Sequence, residues 1–218
     1  MTIVAISDTH NLADGVTIPD GDVLLHAGDL TMKGTSPELA RAAHWLGMLR
    51  ERFEAVVAIP GNHDFGAEND PGETRALFAA RGITWLVDEA AEIGGLRIYG
   101  SPWQPWFYDW AFNFPRDDGG VAARETWARI PADTDVLITH GPPRGILDAT
   151  LPRREHAGCP HLLEALASRP RIRAHLFGHI HEGYGTHRDA HRLYVNASVC
   201  DLNYAPVQPP IVFEVTAA

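Results

Sequence analysis

Five short apolar segments of the chain end in residues that can bind a metal ion or exchange a proton. The residues at these ends are Asp8-Thr9-His10, Asp29, Gly61-Asn62-His63-Asp64, His140 and His179-Ile180-His181. Their donor atoms are carboxylate oxygens, imidazole nitrogens and an amide oxygen, without a thiolate. This mixture is typical of sites for hard to borderline divalent ions such as Mn²⁺, Fe²⁺, Zn²⁺ or Mg²⁺. We therefore interpret the five segment ends as parts of one candidate metal site.

The candidate ligands are too numerous for a single tetrahedral ion. Seven groups, out of the nine Asp, Asn and His side chains at these ends, would suit two ions that share one carboxylate. A pair of cations roughly 3.5–4 Å apart is a recurrent device for phosphoryl chemistry, because it activates a bridging water and neutralises charge as an oxyanion leaves. The sequence contains neither a G-x-S-x-G pattern for a serine nucleophile nor a P-loop. These observations favour metal-assisted chemistry without a protein nucleophile.

The spacing inside the segments supports this interpretation. In an extended backbone, residues i and i+2 point the same way, so Asp8 can act with His10, and His179 with His181. His175 shares that parity but lies inside its apolar segment, and we expect it to be a structural histidine. The alternative for the whole set is coincidence, which would bury several carboxylates and imidazoles without partners at a large cost in free energy.

These residues need a scaffold that brings the segment ends together. Short β-branched apolar segments predict strands at 3–7, 22–28, 55–60, 83–87, 96–100, 135–140, 174–179, 192–198 and 211–215. Longer amphipathic segments predict helices at 36–53, 71–82, 121–130 and 160–169. In open α/β sheets, ligands bind outside the carboxyl ends of strands, where the five groups would gather. We expect two mixed sheets packed face to face, with helices outside.

Length and composition narrow the class of protein. We expect the 218 residues, 45% of them hydrophobic, to form one domain over 1–218. The 18 Lys and Arg against 28 Asp and Glu give a net charge of −10, which disfavours binding of long nucleic acid. The start of the chain lacks a signal-peptide pattern and no apolar segment could span a membrane, so we expect a cytoplasmic protein. Cys159 and Cys200 are expected to be reduced thiols, and the composition does not indicate an oligomeric state.

Taken together, the motifs resemble the metallophosphoesterase superfamily, also called the calcineurin-like phosphoesterases. Its pattern of D-x-H, G-D, G-N-H-[DE], a lone H and G-H-x-H reads here as DTH (8–10), GD (28–29), GNHD (61–64), H (140) and GHIH (178–181). The segments LLHAGDLT, YGSPWQPWF, FNFPR, THGPP, FGHIHEGYG and VNAS are similar to the subgroup of metallophosphoesterase-domain proteins of animals and their bacterial relatives. The resemblance implies a four-layer α/β/β/α sandwich of two mixed sheets flanked by helices.

The resemblance also implies which residues hold the two divalent ions. Asp29 would bridge the ions; Asp8, His10 and His181 would complete one site, and Asn62, His140 and His179 the other. The ligand set tolerates several metals, and we expect Mn²⁺, with Fe²⁺, Zn²⁺ and Mg²⁺ as alternatives.

The remaining motif residues are implied to act on the substrate. His63 would face the phosphate and protonate the leaving oxygen while a bridging hydroxide attacks phosphorus in line. Asp64 would orient His63 and keep it cationic, as a neighbouring carboxylate does. Asn62 and His63 would both contact the substrate. Arg144 could reach a substrate phosphate or could simply be solvated.

The expected activity is a phosphodiesterase acting on small esters, with cyclic nucleotides suggested by the resemblance. A broad phosphomonoesterase, including a protein phosphatase, is the enzymatic alternative, because selectivity lies in the loops. A catalytically quiet nucleotide-binding scaffold is the alternative from another class. The aromatic stretch 101–115 could be a rim on which a nucleobase stacks or a loop that fills the core, and its density of Trp and Phe favours packing.

Overall fold

The first sheet is built from the strands that precede the N-terminal motifs. The computed structural model describes residues 1–115 and 118–216, so Arg116 of the FNFPR segment lies outside the described residues. The five strands of this sheet are β1 (Thr2–Ile6), β2 (Val23–His26), β3 (Ala55–Ala58), β4 (Thr84–Trp85) and β11 (Ile211–Glu214). Their order is β11-β1-β2-β3-β4, and all neighbours are parallel except β11, which runs antiparallel to β1. The carboxyl ends of β1, β2 and β3 therefore lie side by side.

The second sheet carries the C-terminal motifs. Its six strands are β5 (Glu89–Ile93), β6 (Leu96–Ser101), β7 (Val136–Thr139), β8 (Ala174–Phe177), β9 (Gly185–Arg188) and β10 (Leu193–Asn196). Their order is β5-β6-β7-β8-β10-β9, with a parallel centre and an antiparallel strand at each edge. The two edge strands, EAAEI and GTHR, hold a single β-branched apolar residue, Ile93, unlike the central strands, and the sequence did not predict them.

Five α-helices in the described residues cover the outer faces of the sheets. They are α1 (Ser36–Leu49), α2 (Phe65–Asn69), α3 (Pro71–Ala79), α4 (Val121–Ala128) and α5 (Pro160–Ala167). Local chemistry sets their starts: Thr35 and Glu38 form a capping box for α1, and the Asp70 carboxylate accepts from Glu73 N in the first turn of α3. All four predicted helices are present, each shorter at its C-terminus than expected. The one-turn α2 was not predicted.

Side chains that alternate along the strands separate the interior into three cores. In β1, Ile3 and Ala5 face the second sheet, whereas Val4 and Ile6 pack against α1 and α3. On the far side, Trp127 of α4 and residues of α5 pack on the outer face of the second sheet. Helices, sheet, sheet and helices thus form four layers, and the predicted α/β/β/α sandwich is confirmed. None of the helices in the described ranges combines the length and apolar character that crossing a bilayer requires.

Candidate metal centre

The carboxyl ends of parallel strands from both sheets meet at one edge and bring the seven predicted ligands together. Asp8 and His10 follow β1, Asp29 follows β2, Asn62 follows β3, His140 follows β7, and His179 and His181 follow β8. A bridge between Ser7 and Ser198 joins the two sheets at this edge. The seven predicted ligands can therefore come together only when the two sheets are packed against each other.

The donor atoms form two groups, each with one carboxylate and two imidazoles. Within a group the ligand atoms lie within 4.8 Å of one another; the groups are Asp8, His10 and His181, and Asp29, His140 and His179. A third set at the same separation, His10, Asp29 and His63, overlaps both groups and includes one residue that is not a predicted ligand. Asp29 lies between the groups, because its Oδ2 is 3.4 Å from His140 Nε2 and 3.8 Å from His10 Nε2. This is the position that a carboxylate shared by two ions would take.

The distances between donors suit metal coordination. Two atoms bound to one ion at about 2.1 Å lie roughly 3.0–3.4 Å apart at octahedral or tetrahedral angles. His181 Nε2 is 3.3 Å from His10 Nε2 and 3.4 Å from Asp8 Oδ1. His140 Nε2 is 2.9 Å from Asn62 Oδ1. Nitrogen and oxygen donors at these separations can share one cation between them, so these residues fit a pair of divalent ions.

Backbone carbonyls select the imidazole nitrogens that face the centre. The Nδ1 atoms of His140 and His181 lie 2.9 Å from the carbonyl oxygens of Ala27 and Asp201, and His10 Nδ1 lies 3.3 Å from that of Thr31. A carbonyl oxygen only accepts, so each Nδ1 donates to it and each Nε2 is left for the site. The tautomers needed for ligation are thus set by the polypeptide.

The buried charges of the site perturb one another strongly. Burial raises the pKa of the Asp8 and Asp29 carboxyls, but the adjacent imidazoles outweigh it and hold both pKa values well below their usual range. Burial lowers the pKa of His140 and His181, yet the nearby carboxylates, chiefly Asp29 and Asp8 respectively, raise each pKa to about 9. Burial lowers the pKa of His179 to about 3. Perturbation in both directions is typical of a functional site.

The backbone is strained where the ligands leave the strands. Asp8, His10, Asp29 and His179 all have positive φ, at 55°, 43°, 55° and 67°. Non-glycine residues rarely adopt this region, and such residues cluster at functional sites because the surrounding structure holds them there. Close packing contributes, since a Cβ added at Gly178 would lie 2.0 Å from Asp8 Oδ2. The turn after β8 can therefore reach Asp8 only with glycine at this position.

The calcineurin-like phosphoesterase family profile matches residues 1–183 of this chain. The chain belongs to the calcineurin-like phosphoesterase family. It is 42% identical to metallophosphoesterase domain-containing protein 1 of Homo sapiens and of Mus musculus, over 97% of this chain and 70% of each relative. A crystal structure of a dimetal phosphatase from Danio rerio has a TM-score of 0.40 and 13% identity over 90% of this chain and 86% of that chain, too weak a likeness to support an inference.

Membership of the family and the clustered ligands give the general activity. The metallophosphoesterase fold implies two divalent ions, and the Asp, His and Asn donors described above fit them. This calcineurin-like phosphoesterase is therefore a metal-dependent phosphoester hydrolase. The individual ligand assignments stay predictions, which the geometry allows.

In this phosphoesterase the partners of His63 and Asp64 differ from those expected. His63 Nδ1 lies 2.9 Å from the Met32 carbonyl oxygen. The buried Asp64 carboxylate instead accepts from the backbone N–H groups of Leu30, Thr31 and Gly61 at 2.8–3.2 Å, and from Thr31 Oγ1 at 2.7 Å. The prediction that Asp64 orients the His63 ring was wrong. Asp64 holds the turns after β2 and β3 together, because backbone donors there had no other acceptor.

Asp64 still acts on the site through these turns. Burial, reinforced by Asp29, raises the pKa of Asp64 to about 6. His63 N donates to Asp29 Oδ1 at 2.8 Å, so the segment that Asp64 fixes also places Asp29. We therefore describe Asp64 as a positioning residue rather than one that contacts the substrate.

A recess bordered by Asp29, Asn62 and His63 lies above the site, and Arg144 is not among the residues that line it. Its guanidinium donates to the His156 carbonyl oxygen at 3.2 Å within the loop that follows β7. Of the two readings that the sequence left open, the geometry favours the one without phosphate contact. His175 is fully buried and lies 2.8 Å from Thr139 Oγ1 through Nε2, as expected of a structural histidine.

The aromatic stretch 101–115 divides between the two roles that the sequence left open. Phe112 and Phe114 are buried in the cores, as favoured, whereas Trp106, Phe107 and Trp110 line the recess above the metal centre. Gln104 pins the base of this loop, because its backbone N–H and C=O pair with Phe112 and Phe114. Alternation between packed and lining residues explains why composition alone could not separate the roles.

Two residues of the site were missed by sequence reasoning. Ser198 Oγ donates to Asp8 Oδ2 at 2.7 Å. The Tyr204 ring lies over the centre, with ring centroids 4.8 Å from His10, 5.5 Å from His181 and 6.2 Å from His63. Ser198 belongs to the VNAS segment, and the similarity of that segment to the metallophosphoesterase-domain proteins could have pointed to this residue. Tyr204 lies in a loop without a motif, and only the tertiary structure places it.

Proposed function

We propose that this phosphoesterase is a phosphodiesterase that hydrolyses small diesters such as cyclic nucleotides. The observation that carries the proposal is a recess of about 600 Å³ above the centre. Asp29, Asn62 and His63 contribute to its floor, and its walls are largely apolar and aromatic. Among the described residues that line it, none is a lysine or an arginine.

This lining suits a singly charged phosphate better than a doubly charged one. A phosphate monoester approaches two negative charges at neutral pH, because its second pKa is about 6, whereas a diester carries one. Apart from metal ions, no Lys or Arg among the described residues of the recess balances a second charge, and Glu182 adds a carboxylate to its wall. The apolar wall can instead bury an organic substituent of a small substrate.

Two bound divalent ions would supply Lewis acidity, polarising the phosphate oxygens and making water a nucleophile near neutral pH. Asp8, His10, Asp29 and His181 would hold one ion, and Asp29, Asn62, His140 and His179 the other. We propose Mn²⁺ as the ion, because carboxylate, imidazole and amide ligands without thiolate suit it. Fe²⁺, Zn²⁺ and Mg²⁺ are the alternatives to compare in reconstitution.

His63 is the proposed general acid. Its Nδ1 donates to the Met32 carbonyl oxygen in either charge state, so Nε2 is the nitrogen that can exchange a proton with the substrate. Nε2 lies 3.9 Å from Asp29 Oδ2, on the side of the ring that faces the centre. During hydrolysis a P–O bond forms to water and the bond to the leaving oxygen breaks. The Nε2 proton passes to that oxygen, and a proton from water replaces it.

The decisive experiment compares two chromogenic esters with protein reconstituted in Mn²⁺. We expect kcat/KM for bis(p-nitrophenyl) phosphate to exceed that for p-nitrophenyl phosphate, followed by a screen of cyclic nucleotides. A preference for the monoester would indicate a phosphomonoesterase instead. If neither ester is hydrolysed although metal analysis shows two ions bound, the protein is a nucleotide-binding scaffold. Asp29→Asn, which alters the shared carboxylate, is the matched inactive control.

A further inference from the structure

A second, shallower groove adjoins the recess at His63. It is lined by Met32, Lys33, His63, Phe65, Asp109, Trp110 and Tyr204. His63, Trp110 and Tyr204 line both spaces, so these three rings form the boundary between them. The Trp110 ring lies against His63, with centroids 4.1 Å apart, and stacks on Phe65 at 5.7 Å. The groove thus has an aromatic floor that leads to the proposed general acid.

The two spaces differ in their relation to the metal centre. The recess is lined by four of the predicted ligands, Asp29, Asn62, His179 and His181. The groove is bordered by His63 but by none of the seven predicted ligands. In an in-line displacement the leaving group departs on the side opposite the nucleophile, so a water activated beside the predicted ligands would expel it on the side away from them. Of the two spaces, only the groove combines distance from the ligands with contact to His63.

Lys33 gives the groove its distinctive charge. It is the only lysine in a chain with 17 arginines, and its side chain is exposed. Its backbone is held in a tight turn, since Gly34 N donates to Thr31 Oγ1 at 2.9 Å and the preceding carbonyl, of Met32, accepts from His63 Nδ1. Gly34 has a φ of 63°, and a Cβ there would lie 2.2 Å from Phe65 N. The position of Lys33 beside His63 is therefore set by the fold.

We propose that this groove is the leaving-group subsite of the phosphodiesterase, and that Lys33 favours leaving groups that carry an anionic substituent. The inference rests on the proposed function and concerns its acyclic diesters, because their two ester substituents are separate groups that can occupy separate spaces. The aromatic floor suits an aryl or heterocyclic group by stacking. Arg144 lines neither space, and Lys33 is the one Lys or Arg side chain among the described residues that line either of them.

Asp109 lines the same groove and opposes Lys33 in charge. Its carboxylate would repel an anionic substituent that the Lys33 ammonium attracts. The selectivity of the groove is therefore set by the difference between the two groups. Removal of either charge should shift selectivity, and in opposite directions.

The test uses two diesters that differ only in a carboxylate on the leaving group. They are methyl 4-nitrophenyl phosphate and methyl 3-carboxy-4-nitrophenyl phosphate, assayed with Mn²⁺-loaded protein. The readout is the ratio of kcat/KM for the carboxylated ester to that for the neutral ester. Because an exposed ion pair contributes only a small free energy, we expect this ratio to drop about two- to fivefold in Lys33→Ala. The drop should be larger in Lys33→Glu. Lys33→Arg should keep the ratio, Asp109→Asn should raise it, and added salt should reduce it.

A labelling experiment gives a readout that does not depend on turnover. Because Lys33 is the only lysine, its acetylation by N-hydroxysuccinimidyl acetate can be followed as one peptide by mass spectrometry. The carboxylated leaving alcohol, 5-hydroxy-2-nitrobenzoate, should slow this acetylation more than 4-nitrophenol does at equal concentration. Equal protection by the two phenols would overturn the assignment of Lys33.

The outcomes separate the inference from the function on which it rests. Hydrolysis of both diesters with a ratio unchanged in Lys33→Glu would overturn the subsite and leave the phosphodiesterase standing. A failure to hydrolyse either diester, with both ions bound, would overturn both. A ratio that follows the charge at residues 33 and 109 supports the subsite.

Discussion

His63 is the side chain whose replacement should separate proton transfer from metal binding. We expect His63→Ala to lower kcat by about 10²–10⁴-fold for an ester with an alkyl leaving group, because the departing alkoxide would lose its proton donor. The loss should be smaller for 4-nitrophenolate, which leaves without protonation. Steady-state kinetics with the two ester types provide the measurement.

Metal content is the control for that variant. The ring of His63 is not an expected ligand, so its replacement should leave the content of bound ions nearly unchanged by elemental analysis. A His63 ligand atom nevertheless lies within 4.8 Å of ligand atoms of His10 and Asp29. A large loss of metal in His63→Ala would therefore make His63 a ligand and refute its role as general acid.

The imidazoles of His140 and His181 make metal binding sensitive to pH. Burial lowers their pKa values, but the carboxylates around them outweigh it and raise each pKa to about 9. Both rings therefore hold an extra proton at pH 7 in the metal-free protein, and each must lose it before Nε2 can bind an ion. We expect metal affinity to fall as the pH is lowered from 9 to 6.

Titration calorimetry in two buffers of different ionisation enthalpy measures this linkage. Binding of Mn²⁺ at pH 7 should release protons, and the observed enthalpy should differ between the buffers. Identical enthalpies together with an affinity that does not change with pH would contradict the predicted competition between metal and protons.

At the scale of elements, Asp135 couples three strands at the edge opposite the metal centre. It immediately precedes β7, and its buried carboxylate accepts from Arg97 N of β6 at 2.9 Å. It also accepts from the guanidinium groups of Arg171 and Arg173, just before β8, at 3.2 and 2.6 Å. Burial raises the pKa of Asp135, and these donors outweigh it and lower that pKa below its usual value.

We expect Asp135→Asn to lower the free energy of unfolding by about 2–3 kcal/mol, because charge-assisted hydrogen bonds at this junction would be lost. The pKa is lower in the folded state, so the stabilisation is present above the pKa of the unfolded chain. It should be lost as the pH falls through the lowered folded value. Urea unfolding at pH 7 and at acidic pH measures both effects.

Asp133→Asn is the matched control for this variant. Asp133 also pairs with Arg97, at 3.2 Å, but its side chain is 59% exposed, so its loss should cost less than about 1 kcal/mol. Similar destabilisation by the two substitutions would show that the Asp135 junction is no stronger than a surface ion pair.

At the scale of the whole molecule, the metal centre joins the two halves of the fold. Its predicted ligands follow strands of both sheets, so ions can bind only when the sheets are packed together. A ligand that binds only the folded state stabilises it by mass action, by about 2.7 kcal/mol at one hundred times its Kd. We expect Tm to rise with added Mn²⁺ and to fall on addition of EDTA, as measured by differential scanning calorimetry.

Asp29→Asn tests whether this stabilisation comes from the centre. The variant should show a much smaller rise of Tm with Mn²⁺, because the carboxylate between the two donor groups is altered. An equal rise in Asp29→Asn and in the unaltered protein would mean that the ions stabilise the fold from elsewhere.

The sequence by itself determined the four layers and the set of side chains that gather at the centre. Both follow from local rules, because apolar segments form strands and the donors stand directly at their ends, where parallel strands converge. Asp8, Asp29 and His140 could therefore be placed without a structure. The short α2 and the edge strands β5 and β9 could not, since their patterns carry little apolar periodicity.

Only the tertiary structure decided which groups surround those donors. The Asp64 carboxylate accepts from backbone donors rather than contacting His63, Arg144 donates within its own loop, and Tyr204 lies over the centre. Loops from distant parts of the chain make these contacts, and their hydrogen bonds are settled by which donors and acceptors folding brings within reach. A sequence pattern specifies the chemistry of each residue but not which residues it meets in the folded chain. Lys33, for example, lines the groove beside His63 only because folding brings these residues together.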